Sequence, residues 1–440
     1  MWCVSMYFGD TYVGAIVADV GASTIKYGQY GKDTPDAIIP SYLLQIDNEY
    51  HLLEFQNGAL NVNNQSAAVN RLVWGTDQLE FNANSVCKSL NLIDSKLSCL
   101  DSINCESNAS ELSNKPLMLC EPNVDCKHYR ENFTEVLFEN YGSPGVYFSK
   151  SAVLSAFSTG RLTALIIDLG ARLNSLAAVS NGRLLTGNSV VESCVSGNYL
   201  DFCFANMVLD GNCEDLLNHN LVAKGYDQAI LSNCHNNGNQ LHNVYVHGLV
   251  KELRETLCGV SQIKPNYNSS IEGLNIKKLS NITHTLPDGT NIDVTNLTYS
   301  VGELIFTDST ELMREFGISD PNGHTYKGLH TQIVDFVNYQ IEDLYRRDLI
   351  ANIFITGGLT STTGLQERLV NEMSSFIPND ETVMMWTRLK ISSPPRNSER
   401  SFSSWLGGSI LASMPSFHDM WISRQEYCEH GSLVAHLKQF

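Results

Sequence analysis

Basic residues are scarce in this chain: 29 Lys and Arg stand against 47 Asp and Glu, a formal charge of −18 over 440 residues. Broad nucleic-acid binding draws most of its affinity from phosphate neutralisation by Lys and Arg, so the shortage argues against it and makes basic proteins better candidate partners than DNA. Ordered cysteine patterns are missing too. The 12 Cys include no Cys-x-x-Cys and no Cys/His set at zinc spacing. Cys99/Cys105 and Cys120/Cys126 come nearest to regularity, and scattered thiols in a reducing compartment are the plainer reading. Met1-Trp2-Cys3-Val4-Ser5-Met6 lacks a cationic segment, Asp10 interrupts the apolar stretch, and no run is long enough to cross a membrane. Neither a signal peptide nor a membrane span is expected, and the sequons at Asn132 and Asn281 are then chance matches.

What is present is globular material, 43% hydrophobic, in a chain longer than one core usually supports, so two or more domains are expected. The organising stretch is Leu165-Ile166-Ile167-Asp168-Leu169-Gly170, an apolar run ending in Asp-x-Gly that resumes at Leu176-Ala177-Ala178-Val179. It reads as a buried strand, a tight turn and a returning strand. Ala15-Ile16-Val17-Ala18-Asp19-Val20-Gly21 followed by Thr24-Ile25-Lys26-Tyr27-Gly28 repeats the pattern, which implies two related halves. Backbone N–H groups in such a turn can face phosphate oxygens while the carboxylate orients a metal-bound water. One Asp-x-Gly alone is usually an ordinary hairpin turn. Two of them, followed by Ile353-Phe354-Ile355-Thr356-Gly357-Gly358 as a strand running into a Gly-Gly turn, describe a nucleotide cleft between two domains.

Taken in order, the first hairpin and a third strand fill 13 to about 40, closed by Pro35 and Pro40. Asp47 to Gln65 is polar and Asn-rich, a small peripheral lobe or loop. Ser85 to Lys115, rich in Asn and Ser without a clear period, reads as an insertion of low order. Pro116 to Pro122 restores a buried strand, Asn132 to Tyr141 carries helical spacing, and a second helix runs from about Lys150 to Phe157 and stops at Gly160. Leu406, Ile410 and Leu411 give a helix starting near Trp405 and broken at Pro415, after which Phe417, Met420 and Trp421 begin another.

Several of these motifs together resemble the actin superfamily: Tyr147 to Phe157 with Gly160-Arg161, the hairpin at Asp168, Leu286-Pro287-Asp288-Gly289, Gly357-Gly358, and above all Ser403-Ser404-Trp405-Leu406-Gly407-Gly408-Ser409-Ile410-Leu411-Ala412-Ser413 through Met420-Trp421-Ile422-Ser423-Arg424-Gln425-Glu426-Tyr427. The likeness covers most of the chain and thins at 41–115 and 195–280. Within the superfamily, Lys150 to Phe157 and Arg400-Ser401-Phe402-Ser403-Ser404-Trp405 are similar to the fourth group of actin-related proteins, the nuclear one shared by chromatin remodellers and histone acetyltransferase complexes.

The resemblance implies an α/β fold of the actin/hexokinase type: two α/β domains with duplicated mixed five-stranded sheets around a nucleotide cleft. Residues 1–158 and 403–440 would form the first lobe, with 41–67 a small peripheral subdomain and 85–115 an insertion; 159–402 would form the second, with 195–312 peripheral. It also implies ATP with Mg in the cleft, an empty cleft being the alternative. Asp19 and Asp168 match the family's carboxylates that orient the metal through water, Gly21, Gly170, Gly357 and Gly358 its close-approach glycines, and Lys26 the lysine that reaches the phosphates. Other positions depart from the pattern. Ser151 stands where actin has the glutamine that positions attacking water, and Ser175 where actin has a histidine of the same water network. Ala171-Arg172 replaces the acidic-glycine continuation of the second turn, Ala22-Ser23 the Ser-Gly of the first, and Ser401 a lysine near the purine. Arg172 either crowds the phosphate pocket or makes a charge-assisted contact to it. Hydrolysis needs a water both oriented and relieved of a proton, and a serine is too short and too weak a base for that. Binding without turnover is the expectation.

In the same family, partner helices dock in a groove whose positions match Phe157, Gly160, Leu162, Leu411, Met414 and Met420, although core packing is the ordinary role of such a stripe. The implied function is a non-catalytic subunit, a platform in the nucleus with the cytoplasm as a second location, clamped on a long helix of a remodelling ATPase or acetyltransferase scaffold beside actin or another actin-related protein, with histones as further candidates. A divergent cytoskeletal actin is the alternative, and nothing in Asp47 to Gln65 resembles its subunit-docking loop. An active ATPase or sugar kinase of the same superfold is the third reading.

Overall fold

The computed structural model describes residues 14–46, 49–52, 55–56, 59–60, 68–74, 80–101, 111–126, 128–185, 190–193, 195–209, 240–262, 283–285, 291–293, 297–308, 327–375 and 386–438. Leu286 to Gly289 and the sequon at Asn281 and Ile282 lie outside these residues. The first hairpin is β1 (Ile16–Val20) and β2 (Thr24–Gln29), extended by β3 (Ala37–Pro40). Two further strands, β4 (Leu117–Glu121) and β5 (Gly145–Lys150), complete the sheet in parallel, in the order β5-β4-β1-β2-β3, with the two-residue strand Ile422–Ser423 on its outer edge. The second sheet repeats the plan. Strands β6 (Ala164–Leu169) and β7 (Asn174–Ser180) form the antiparallel hairpin, and β8 (Ile353–Thr356) runs parallel to β6. Arg183–Leu184, Val190–Ser193 and Ile391–Ser392 add short edges. Among the described residues each sheet thus has six strands rather than the expected five, the extra ones being edge strands of two to four residues that carry no periodicity of their own.

Both sheets are covered on both faces, which explains their near-continuous apolar strands. Successive side chains alternate between faces. In β1, Ile16, Ala18 and Val20 enter one core with Phe133 and Leu137, while Val17 enters another around Trp405. In β6, Leu165, Ile167 and Leu169 join the large core of the second lobe, while Ala164 and Ile166 meet Ala152, Val153 and Ala156.

The first part of the stretch that read as low-order sequence is α1 (Ala83–Asp101), so the expectation is corrected for 85–101, while 102–110 lie outside the described residues. Val86, Cys87, Leu90 and Ile93 are buried on one face and join the core of the first lobe. The side chain of Asn82 caps the start by accepting the Ser85 N–H at 3.0 Å. Ser, Asn, Lys and Asp are interspersed among the buried residues, and they hid a narrow apolar stripe. Leu112, in the following turn, is also fully buried.

Helix α2 (Tyr129–Glu139) packs beside α1, and α3 (Ser151–Ser158) covers the inner face of the second sheet. Helix α4 (Gln240–Leu257) belongs to the second lobe, and α5 (Ser403–Ala412) covers the inner face of the first sheet. The Trp405 indole fixes α5 there by donating to the Val17 carbonyl at 3.0 Å. Helices α3 and α5 cross in close contact: a Cβ at Gly407 would stand 1.8 Å from the Leu154 carbonyl oxygen. Pro415–Met420 forms a 3-10 turn with Trp421 already extended, rather than the start of a new α-helix. Tyr42–Ile46, Glu49–Leu52 and Ala68–Arg71 form a separate three-stranded sheet beside the first lobe.

Candidate functional site

Sheet register brings the chemistry together. In the first hairpin Asp19 pairs with Lys26, and in the second Asp168 pairs with Ser175 on one side and Thr356 on the other. The strand ends and their turns face one cleft of about 140 Å³, lined by all of Asp19, Gly21, Lys26, Asp168, Gly170, Gly357 and Gly358. Ser151, Arg172, Ser401 and Ser404 line the same space.

The two carboxylates differ. Asp19 lies 3.2 Å from Lys26 Nζ and accepts a hydrogen bond from Ser404 at 2.8 Å. Asp168 faces a serine instead of a lysine, and its carboxyl is pushed up to about 6, first by burial and then by the charge of Asp19, against the pull of Lys26. Ser404 was not singled out as a ligand of Asp19 in the sequence; it precedes Trp405, and the helix that Trp405 anchors delivers it 385 residues from its partner.

Two glycines behave oppositely. Gly357 has φ +97°, and a Cβ there would lie 2.3 Å from the Leu169 carbonyl oxygen, so the fold itself demands glycine. At Gly358 a Cβ would meet nothing within 4 Å. The chain's own packing makes no such demand there, and the position leaves room for a ligand against the backbone. The residues therefore fit a nucleotide. Lys26 supplies a cation for phosphate, and the turns after β1 and β6 supply backbone. No group of three or more His, Cys, Asp or Glu that could hold a metal ion exists among the described residues. Asp19 and Asp168 fit only a divalent ion whose shell is completed by phosphate oxygens and water, and such an ion would offset phosphate charge.

Beside the cleft, which Ser151 lines, the two serines are tied together by Asn123, which sequence reasoning missed. Ser151 Oγ donates to Asn123 Oδ1 at 3.0 Å, Asn123 Nδ2 donates to Ser175 Oγ at 2.9 Å, and the Ala152 N–H donates to the same Oδ1 at 2.7 Å. Lys150, at the start of α3, makes no side-chain cap, so this amide caps the helix from outside. Ser151 spends its proton on an amide carbonyl, and Ser175 accepts from the amide of the same residue. Both hydroxyls are thereby held by one amide.

The groove residues fall into two groups. Phe157 and Leu162 come together at Gly182, a Cβ on which would lie 3.4 Å from Phe157 and 3.8 Å from Leu162. Leu411 and Met420 pack against the cluster of Trp405 and Phe417, while Leu162 and Met414 are exposed at 55% and 38%. Gly160 follows α3 and is exposed. The groups lie at the ends of α3 and α5, the two helices in contact.

Cys87, Cys120, Cys203 and Cys258 are buried and Cys126 partly so, none of them in a disulfide, while the pair Cys99/Cys105 reaches outside the described residues. No helix among the described residues is long and apolar enough to cross a membrane.

The sequence model of the actin family, described as "Actin", matches residues 10–440. Among curated proteins, the chain is 27% identical to "Actin-related protein 4" of Oryza sativa subsp. indica over 449 residues, covering 97% of this chain and 98% of the rice protein. It is 26% identical to the protein of the same name from Arabidopsis thaliana, with 97% and 98% covered, and 25% identical to that of Schizosaccharomyces pombe, with 97% of each covered.

Proposed function

The chain belongs to the actin family and is an actin-related protein similar to those named Actin-related protein 4, and we propose that it is a non-catalytic nuclear subunit that holds ATP without hydrolysing it and serves as a platform in chromatin remodelling or histone acetyltransferase complexes. The observation that carries this reading is the Asn123 bridge. The cleft keeps the carboxylates, the lysine and the glycines that suit a nucleotide, while the two serines at the position of the water-activating pair are committed to one amide. Lys26 and the turn backbones bind and orient phosphate, and neither serine supplies the base that a water nucleophile needs. Asp168, its carboxyl raised to about 6 by burial, lines the same cleft and is, among the described residues, the one side chain there whose raised carboxyl would suit a base, which the Asp168→Ala comparison below addresses.

The platform role rests on the apolar groups at the ends of α3 and α5, with Leu162 and Met414 exposed, and on a charge of −18 that suits a Lys- and Arg-rich partner helix. Actin or another actin-related protein is the proposed neighbour in the complex, and histones are further candidates. Purified protein is expected to turn over ATP no faster than background, and Ser151→Gln with Ser175→His to raise the rate only when Asn123 is also shortened to Ala. A robust wild-type rate that disappears in Asp168→Ala would show that another base is at work.

A further inference from the structure

We propose that Lys251 and Ser23 form a latch that holds the two lobes together with no nucleotide between them, so that the arrangement of the lobes is built into this chain rather than conferred by a ligand. Lys251 Nζ, on α4 of the second lobe, donates to Ser23 Oγ, in the turn between β1 and β2 of the first, at 2.7 Å. The acceptor is a side chain at a position where the likeness to actin places glycine, which would offer the lysine nothing. The contact therefore belongs to this sequence and not to the fold it shares.

Both ends of the latch are braced. On the first lobe the Ser23 carbonyl accepts from the Ser41 N–H at 3.0 Å, and the hydroxyl of Ser41, itself buried, donates to the Gly21 carbonyl at 2.5 Å. The strand that begins at Tyr42 thus holds the turn from behind. On the second lobe Arg254, one turn after Lys251 on α4, pairs with Asp201, and both are buried. Asp201 lies in the helix Gly197–Leu209, whose first residues sit on the second turn: the Gly197 N–H donates to the Gly170 carbonyl at 3.0 Å and the Asn198 N–H to the Ala171 carbonyl at 2.6 Å. A continuous series of contacts runs from the turn after β6 through that helix and α4 to Lys251 and Ser23. It ties the two cleft-lining turns to each other.

The latch lies outside the cleft. Ser23 and Lys251 border a separate cavity of about 330 Å³ with Tyr42, Asn198 and His247, and neither lines the cleft itself, so the latch leaves free the space that suits phosphate. Glu255, one turn on from Lys251, lies 3.9 Å from Nζ, too far for a hydrogen bond, and the serine is the short contact. Lys251 is only 31% exposed, and a hydrogen bond from a shielded ammonium is worth more than an ion pair in open water. A contact made only when the lobes are together shifts the population toward that state by its own strength, about tenfold for one such bond. Partners that touch both lobes then meet one constant outline whether or not the cleft is filled.

The test is hydrogen exchange of the full chain, free of nucleotide, read by mass spectrometry on the peptides that carry the Gly21, Ser41, Gly197 and Asn198 amides. Wild type is compared with Ser23→Ala, Lys251→Met, the double variant and Glu255→Gln. Each single change in the latch is expected to raise exchange about tenfold on both lobes, and the double variant to raise it no further, because the two side chains make one contact. Glu255→Gln is expected to leave exchange as in wild type. Methionine keeps the apolar stem of the lysine and alanine removes one hydroxyl; thermal transitions check that each variant is folded, and if one is not, the other decides. Exchange equal in wild type and the folded latch variants, a rise confined to the lobe that carries the substitution, or effects that multiply in the double variant would each overturn the proposal. The comparison is made on the free protein, so it stands apart from the nucleotide reading. Adding ATP and Mg to the latch variants tests that reading on the same samples: recovery of wild-type exchange supports it, and no recovery counts against it while leaving the latch in place.

Discussion

Gly358→Ala separates what the fold needs from what a ligand needs. A Cβ there meets nothing within 4 Å, and the residue does not have the positive φ of Gly357. Alanine narrows the unfolded ensemble without clashing in the native one, so the apo protein is expected to be stabilised by about 0.4–1 kcal/mol. Gly357→Ala is the contrast. With φ +97° and a Cβ 2.3 Å from the Leu169 carbonyl oxygen, strain and overpacking together give a loss of about 2–5 kcal/mol. In the cleft the order reverses, because the Gly358 methyl stands where a ligand would approach the backbone. ATP at about 100 times its Kd raises stability by about 2.7 kcal/mol, and a variant binding 100-fold more weakly retains only about 0.4 kcal/mol of that. Thermal melts with and without ATP and Mg measure both quantities on one sample. A Gly358→Ala protein that melts above wild type when free, and below it with ATP, agrees with the reasoning. A variant whose ATP-dependent shift equals that of wild type refutes it, since the open position would then face no ligand.

Two further outcomes follow from the site and the lobes. Asp168 is raised from 3.8 to about 6, so its contribution is full below pH 4 and turns into a burden as pH climbs through 6; Asp168→Asn should be more stable than wild type by about 1–3 kcal/mol above pH 6 and equal to it below pH 4. Urea unfolding at pH 4 and pH 7.5 checks this, and an advantage that grows toward acid would reverse the sign and reject the cause. The protein is also expected to stay monomeric in Mg and salt conditions that polymerise actin, because the polar stretch Asp47 to Gln65 does not resemble actin's subunit-docking loop; Mg-dependent filaments in a sedimentation assay would count against that.

The hairpins were legible because a strand's apolar run, an Asp and a Gly turn are local, and register then placed Asp19 against Lys26 without further information. Gly357 and Gly358 were legible for the same reason, although nothing in the text distinguishes the one the fold demands from the one it does not. Helix α1 was missed because its buried apolar side chains, at 83, 86, 87, 90 and 93, are spaced among Ser, Asn and Lys. Asn123 was invisible because its partners, 28 and 52 residues away, lie on a helix and on the opposite lobe. Ser404 and Asp19 are farther apart still.

The central claim is that an exposed apolar groove, not chemistry, is the working surface. Leu411 is partly buried against the Trp405 cluster, so its substitution would confound docking with folding. Leu162 is 55% exposed and has no such role. Truncating a central docking anchor commonly costs more than ~1 kcal/mol, and an aspartate there also buries an unpaired charge. The direct measurement is affinity purification at native abundance with mass spectrometry, comparing wild type with a Leu162→Asp protein whose thermal transition is intact. Wild type should bring down a remodelling ATPase or acetyltransferase scaffold together with actin or another actin-related protein, and the folded variant should lose them. Wild type recovered without such a complex, or a folded Leu162→Asp protein that retains all of it, would contradict the platform account.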